Sequence, residues 1–140
     1  MGAAVAIQAA AIDPRIRAVI AENSFTTLRS IFDDYQKRMI KLPFHYLRNL
    51  VIKRSELMAR FRANDVSPIE ALANISIPIL VIAGERDRLI NADYSRRLFT
   101  AAGEPKEFYP IPGASHSDTW VVAVKAYEET ILGFLRRSLQ

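Results

Sequence analysis

The run Ile77-Pro78-Ile79-Leu80-Val81-Ile82-Ala83 is wholly apolar and is stopped by Gly84. A strand with no polar face must be central and buried, covered on both sides, as the strands of parallel sheets with helices on each face are. The rest of the chain supplies the parts for it. Ile16–Ala21 is a second short β-branched run and Lys106–Ile111 a third, and helical patterns lie before, between and after them. Strands alternating with helices imply an α/β fold, with parallel pairing through right-handed crossovers.

Local signals set the expected boundaries. The alanine-rich opening from Met1 to Ile12 favours a helix, which Asp13-Pro14 ends. Residues 26–62 show helical spacing interrupted at Leu42-Pro43, which predicts two or three helices. Ser67-Pro68-Ile69-Glu70 has the form of a capping box with proline at the first helical position, opening a short helix through Ala73. Asn91 is placed to cap a helix over residues 92–102, with Ser95, Leu98, Phe99 and Ala102 on one face and Gly103 closing the end. Asp118 is placed to cap a terminal helix in which Trp120, Val124, Tyr127, Ile131 and Phe134 recur near the helical period.

Composition narrows the chemistry. The 140 residues suit one domain (1–140), half apolar and 24% charged, with no repeat or linker. With no cysteine there is no disulfide framework or thiolate zinc site, and the two histidines are too few for a histidine-only metal site; no metal and no cofactor are expected. No apolar run reaches the roughly 18 residues a membrane span requires, and a secretory signal pattern is lacking, so the expectation is a cytoplasmic protein without a membrane segment. Lys37, Arg38, Lys41, Arg48, Lys53, Arg54, Arg60 and Arg62 stand against Glu56 alone. They are interleaved with Ile40, Leu42, Phe44, Leu47, Leu50, Val51, Leu57, Met58 and Phe61, which reads as the solvated side of amphipathic helices. No nucleic-acid module accompanies the charge, so nucleic acid is not an expected partner.

In an open parallel sheet, functional residues gather beyond the carboxyl ends of the strands. Three segments fall there: Glu22-Asn23-Ser24, Gly84-Glu85-Arg86-Asp87, and Pro112-Gly113-Ala114-Ser115-His116. Asp87 and His116 are the residue types of a histidine base held in one tautomer by a carboxylate at its far nitrogen. Taken singly, each also fits a plainer role, Asp87 as a turn cap and His116 as a surface histidine. Ser24 is the internal serine best placed to face His116, but its neighbours Asn23 and Phe25 suit a turn residue rather than a strained nucleophile turn. Ser115 and Ser117 read as loop hydrogen-bonders, His45 as a helix-face histidine, and Asp93 and Asp118 as helix-start charges.

The stretches VIAGERDRLINADYSRRLF and EFYPIPGASHSDTW resemble the acid and histidine segments of the α/β-hydrolase superfamily, in its serine esterase, prolyl-oligopeptidase and serine aminopeptidase branches. In that fold the order is nucleophile, acid, histidine, with a Gly-x-x-Asp loop after one strand and a Gly-x-x-His loop after the next. Gly84 to Asp87 and Gly113 to His116 have that form. Met1-Gly2-Ala3-Ala4 resembles the residues immediately after the serine of a Gly-x-Ser-x-Gly turn.

The resemblance implies catalytic roles for Asp87 and His116, an oxyanion-hole donor at the Met1 amide, and a helical cap or lid over residues 26–62 that sets specificity. It further implies a fold truncated to about three C-terminal strands, without the serine. Such a chain is expected to be inactive alone and to self-associate through the exposed edge of its first strand. The intact enzyme would act on a small-molecule or peptide acyl substrate carrying an ester, thioester or amide. The alternative is a non-catalytic protein that binds a partner through its sheet edge or basic lid. Leu42, Phe44, Tyr46 and Trp120 hint at an apolar pocket, and core packing explains them equally well.

Overall fold

The apolar run forms the centre of a three-stranded parallel sheet. The computed structural model describes residues 1–39 and 45–140. The elements are α1 (Gly2–Ala10), β1 (Val19–Glu22), α2 (Leu28–Met39), α3 (His45–Ala59), α4 (Pro68–Ala71) continuing as a 3-10 turn at Leu72–Asn74, β2 (Ile79–Gly84), α5 (Ala92–Ala101), β3 (Lys106–Ile111) and α6 (Thr119–Ser138). The strand order is β1-β2-β3 with every pairing parallel. The Leu42-Pro43 break and the side chains of Leu42, Phe44 and His45 lie outside the described residues.

All six residues of β2 are buried, and their alternation divides the core. Ile79 and Val81 join Val19 and Ala21 of β1 against Ile7 of α1 and Leu98 of α5. Leu80 and Ile82 point the other way, onto Ile111 and Phe134 of α6. Each such side chain contributes about 1.5–3 kcal/mol by leaving water. The strand is therefore the element whose covering holds three layers together. Along the outer edge of β1 no pairing strand lies among the described residues.

Both apolar strands start later than their composition suggests. Pro78 has no amide to donate, so the ladder begins at the pair Val19 and Ile79, with the Val19 amide bonded to Pro78 O at 2.9 Å. Ile16 is spent on a turn, its amide donating to Asp13 O.

Two local expectations are overturned by longer-range contacts. Ser67 occupies the cap position of α4 with Pro68 at the first helical position, but no capping box forms. Gln8 Oε1 takes the Ser67 amide at 3.0 Å, and the Ile69 amide donates to Thr26 O, so Ser67 Oγ is left buried without a partner. Asn91 does cap α5, accepting from the Asp93 amide at 2.9 Å, but the helix is closed by Ala102 in extended backbone rather than by Gly103. Ala102 turns into the core there, which fixes the exit.

In α6 the backbone breaks at Val124 (φ 27°, ψ −97°). Thr119 and Ala123 face inward with Tyr127, Ile131 and Phe134. Trp120 and Val124 are left more than half exposed, as is Tyr46. The region 26–62 contains α2 and α3, with the basic residues Lys37, Arg38, Lys53, Arg54, Arg60 and Arg62 exposed. The apolar residues of α3 are spread around the helix, so the seam it makes with α2 buries Ile52 and leaves Leu47, Leu50, Val51, Leu57 and Met58 in the open. That departs from the amphipathic expectation. Among the described residues no helix is long and apolar enough to cross a membrane.

Candidate active site

The pairing of β2 with β3 runs to Gly84 opposite Ile111, so the acid loop and the histidine loop leave the sheet side by side. Their backbones remain stitched together beyond the strands. Glu85 N donates to Ile111 O at 3.1 Å and Arg86 N to Ala114 O at 2.8 Å. The approach is close enough that a Cβ on Gly84 would sit 2.5 Å from Ser115 O and 2.9 Å from Ala114 O. Only glycine fits there. Gly113 turns the second loop with φ +83°, the left-handed backbone that glycine adopts without strain.

These loops bring Asp87 and His116 into contact. Asp87 Oδ2 lies 2.7 Å from His116 Nδ1, and Asp87 Oδ1 accepts from the amides of Leu89 at 2.7 Å and Ile90 at 2.8 Å. The Asp87 side chain is fully buried, whereas that of His116 is 32% exposed. With Asp87 as the acceptor, Nδ1 is the donor and Nε2 is the ring nitrogen left to accept. Among the described residues no side chain hydrogen-bonds to Nε2. The arrangement can therefore take up a proton at Nε2 and stabilise the resulting imidazolium through Asp87.

The segment after β1 contributes more than its sequence suggests, and through different residues. Ser24 is buried with its hydroxyl donating to Phe25 O at 3.2 Å, so it is a turn residue. Asn23, 5% exposed and at φ +47°, reaches both loops: its Oδ1 accepts from Gly84 N at 2.8 Å and its Nδ2 donates to His116 O at 3.0 Å. Glu22 accepts from the hydroxyls of Thr119 and Tyr127, tying the end of β1 to α6. Burial, reinforced by Glu22, pushes the Tyr127 phenol well above its usual range. Asp118 starts α6 by position, but its carboxylate accepts from the Ser115 amide and so braces the histidine loop. In sequence Glu22 and Asn23 stood out only as part of the segment beyond the first strand, with no role of their own.

Met1 stands at the N-cap of α1, 73% exposed, with its carbonyl accepting from Val5 N at 3.2 Å. No hydrogen bond joins it to the pair among the described residues. Nor do those residues hold a cluster of three or more His, Cys, Asp or Glu side chains arranged for a metal ion.

No protein-family model matches the chain. An uncharacterized protein of Mycobacterium tuberculosis is 30% identical over 135 residues, covering 96% of this chain and 42% of that one. The alpha/beta hydrolase domain-containing protein WAV2 of Arabidopsis thaliana is 27% identical over 128 residues, covering 88% and 40%. The chain thus spans about two fifths of the length of these curated relatives. Among solved structures, the Pyrococcus furiosus esterase Pf2001 superposes with a TM-score of 0.71 at 22% identity, over 99% of this chain and 51% of that one. MGS-M2, an alpha/beta hydrolase enzyme from a Medee basin deep-sea metagenome library, gives 0.61 at 25% identity, over 95% and 61%.

Proposed function

We propose that this chain, whose fold is that of the α/β-hydrolases, supplies the acid and the base of a serine-dependent site that cleaves an ester, thioester or amide bond. The observation that carries this reading is the 2.7 Å bond between His116 Nδ1 and Asp87 Oδ2, with the carboxylate sealed and the imidazole open to solvent. A serine hydroxyl attacks the acyl carbon and gives its proton to His116 Nε2, while Asp87 stabilises the imidazolium. His116 passes that proton to the departing alcohol, thiol or amine. Water then gives a proton to Nε2 as it attacks the acyl-serine, and the serine oxygen leaves with that proton restored.

The nucleophile in this reading comes from residues upstream of Met1 in a longer polypeptide. It draws on the bond that Ser24 makes to Phe25 O, and on the matched region being only about two fifths of the curated relatives' length. The Met1 nitrogen, as a peptide amide at the start of α1, would donate to the developing oxyanion. Residues 26–62 would form the lid over the acyl group.

The test is the coding sequence read in frame upstream of Met1, combined with an acyl-ester assay. The reading expects a Gly-x-Ser series immediately upstream, and no His116-dependent turnover from the 140 residues alone. It expects turnover by the extended protein that is lost in His116→Ala and reduced about 10⁴-fold in Asp87→Asn. An upstream stop codon with no such series, or His116-dependent turnover by the 140 residues alone, would sink it.

A second reading, a non-catalytic protein that binds a partner through its sheet edge or basic lid, draws on the unpaired edge of β1 among the described residues. It expects an upstream stop codon and no turnover in any form of the protein, and His116-dependent turnover by the extended protein rules it out.

A further inference from the structure

The reaction calls for an acid and a base, but nothing in it calls for an amide side chain buried at the end of β1. Asn23 is there, and it bonds to both loops that carry the reacting pair. Gly84 N is the last amide of β2 and needs an acceptor, which Asn23 Oδ1 provides at 2.8 Å. The carbonyls of Ser115 and His116 need a donor, and Asn23 Nδ2 meets them at 3.4 and 3.0 Å. The Asn23 amide itself is anchored to Ile82 O at 3.0 Å, so the side chain projects from a fixed point of the sheet. A carboxamide is a short side chain that offers a donor and an acceptor at once. Aspartate would present a second acceptor to the two carbonyls, and serine cannot span both loops.

We infer that Asn23 is the positioning residue of the site, clamping the acid loop to the histidine loop and thereby holding His116 Nδ1 on Asp87. It touches neither reacting atom. Its effect passes through the backbone of Gly84, three residues before Asp87, and through the carbonyl of His116 itself. The catalytic meaning of the clamp rests on the acid–base reading of Asp87 and His116, while the geometry it predicts is measurable without turnover.

A plainer role competes. Asn23 sits at φ +47°, where asparagine is favoured over most residues for conformational reasons alone. Asn23→Gly separates the two, because glycine accepts that φ freely and removes only the clamp. Asn23→Asp does so from the other side, keeping size and the acceptor toward Gly84 while losing the donor.

The experiment is proton NMR of the 140-residue chain, monitoring the low-field Nδ1 proton of His116, with Asp87→Asn as the control that removes its acceptor. Clamping predicts that exchange of this proton with water speeds up about tenfold or more in both Asn23 variants, the effect of losing roughly one net hydrogen bond. Circular dichroism and the melting transition report whether each variant is folded. Wild-type exchange in a folded Asn23→Gly chain overturns the inference and leaves Asn23 as a left-handed turn residue. Should Asn23→Gly not fold, wild-type exchange in Asn23→Asp overturns it equally. A wild-type resonance that behaves as predicted beside an extended protein without turnover would refute the hydrolytic reading and leave the clamp standing.

Discussion

Replacing Gly84 by alanine adds one methyl group where the acid loop passes the histidine loop. Its Cβ would meet Ser115 O at 2.5 Å and Ala114 O at 2.9 Å, both backbone atoms that no rotamer change can move. Reaching the ordinary contact distance of 3.4 Å requires the Ser115 carbonyl to retreat by about 0.9 Å. His116 is the next residue, and its bond to Asp87 is 2.7 Å long, so a shift of that size carried through to the ring stretches it to about 3.6 Å, outside hydrogen-bonding range. Gly84 has no left-handed φ, so the damage is steric and not conformational. Overpacking of this kind costs about 1–3 kcal/mol. Urea denaturation should therefore show a lower midpoint, and the low-field His116 proton should be lost even under conditions where the chain is fully folded. A Gly84→Ala chain that keeps both the midpoint and that proton would refute the claim that loop contact sets the pair's geometry.

Two further perturbations test the scaffold. Tyr127 is held protonated by burial and by Glu22, so above the ordinary phenol value of about 10 the unfolded chain loses this proton before the folded chain does. The folded state then binds more protons, and stability falls as pH rises through that window. Tyr127→Phe should flatten part of this alkaline loss in denaturation curves at a series of pH values. Tyr94, also raised chiefly by burial, retains the remainder, and an unchanged slope would count against the burial of Tyr127 beside Glu22. Asn91→Ala removes the side-chain acceptor for the Asp93 amide and should lower stability by about 1 kcal/mol while leaving the His116 proton intact. A shift of the proton would mean that α5, and not the loops, positions the pair.

The parts legible in sequence were those whose cause is local. The apolar run of β2 stated its own burial, and Asn91 capped α5 because cap and amide are two residues apart. Asp87 and His116 could be named because each ends a short glycine-led loop at a strand terminus. Signals failed where a distant group supplied the bond first. Gln8 lies 59 residues from Ser67 and displaced an expected capping box, and Asn23 lies 61 residues from Gly84 and 93 from His116. Trp120 is exposed because the buried stripe of α6 starts one position earlier, at Thr119 and Ala123.

The hydrogen bonds divide unequally between the acid and the base, and that division has a mechanical sense. Asp87 Oδ1 is satisfied by the Leu89 and Ile90 amides of its own loop, so the carboxylate keeps its orientation whatever the imidazole does. His116 depends on a wider set of contacts, one local and two distant. Its loop is held at Ser115 by Asp118, at its own carbonyl by Asn23, and at its ring by Asp87, each anchored on a different element. The acid is therefore a fixed reference and the base is set against it by contacts from β1, β2 and α6. A proton-transfer group that must face a reactant on one side and a carboxylate on the other benefits from this arrangement, because small shifts between elements change the base while the charge that stabilises it stays in place. Substitutions outside the loops should accordingly perturb His116 before they perturb Asp87, with Asn23 and Glu22 the first places to look.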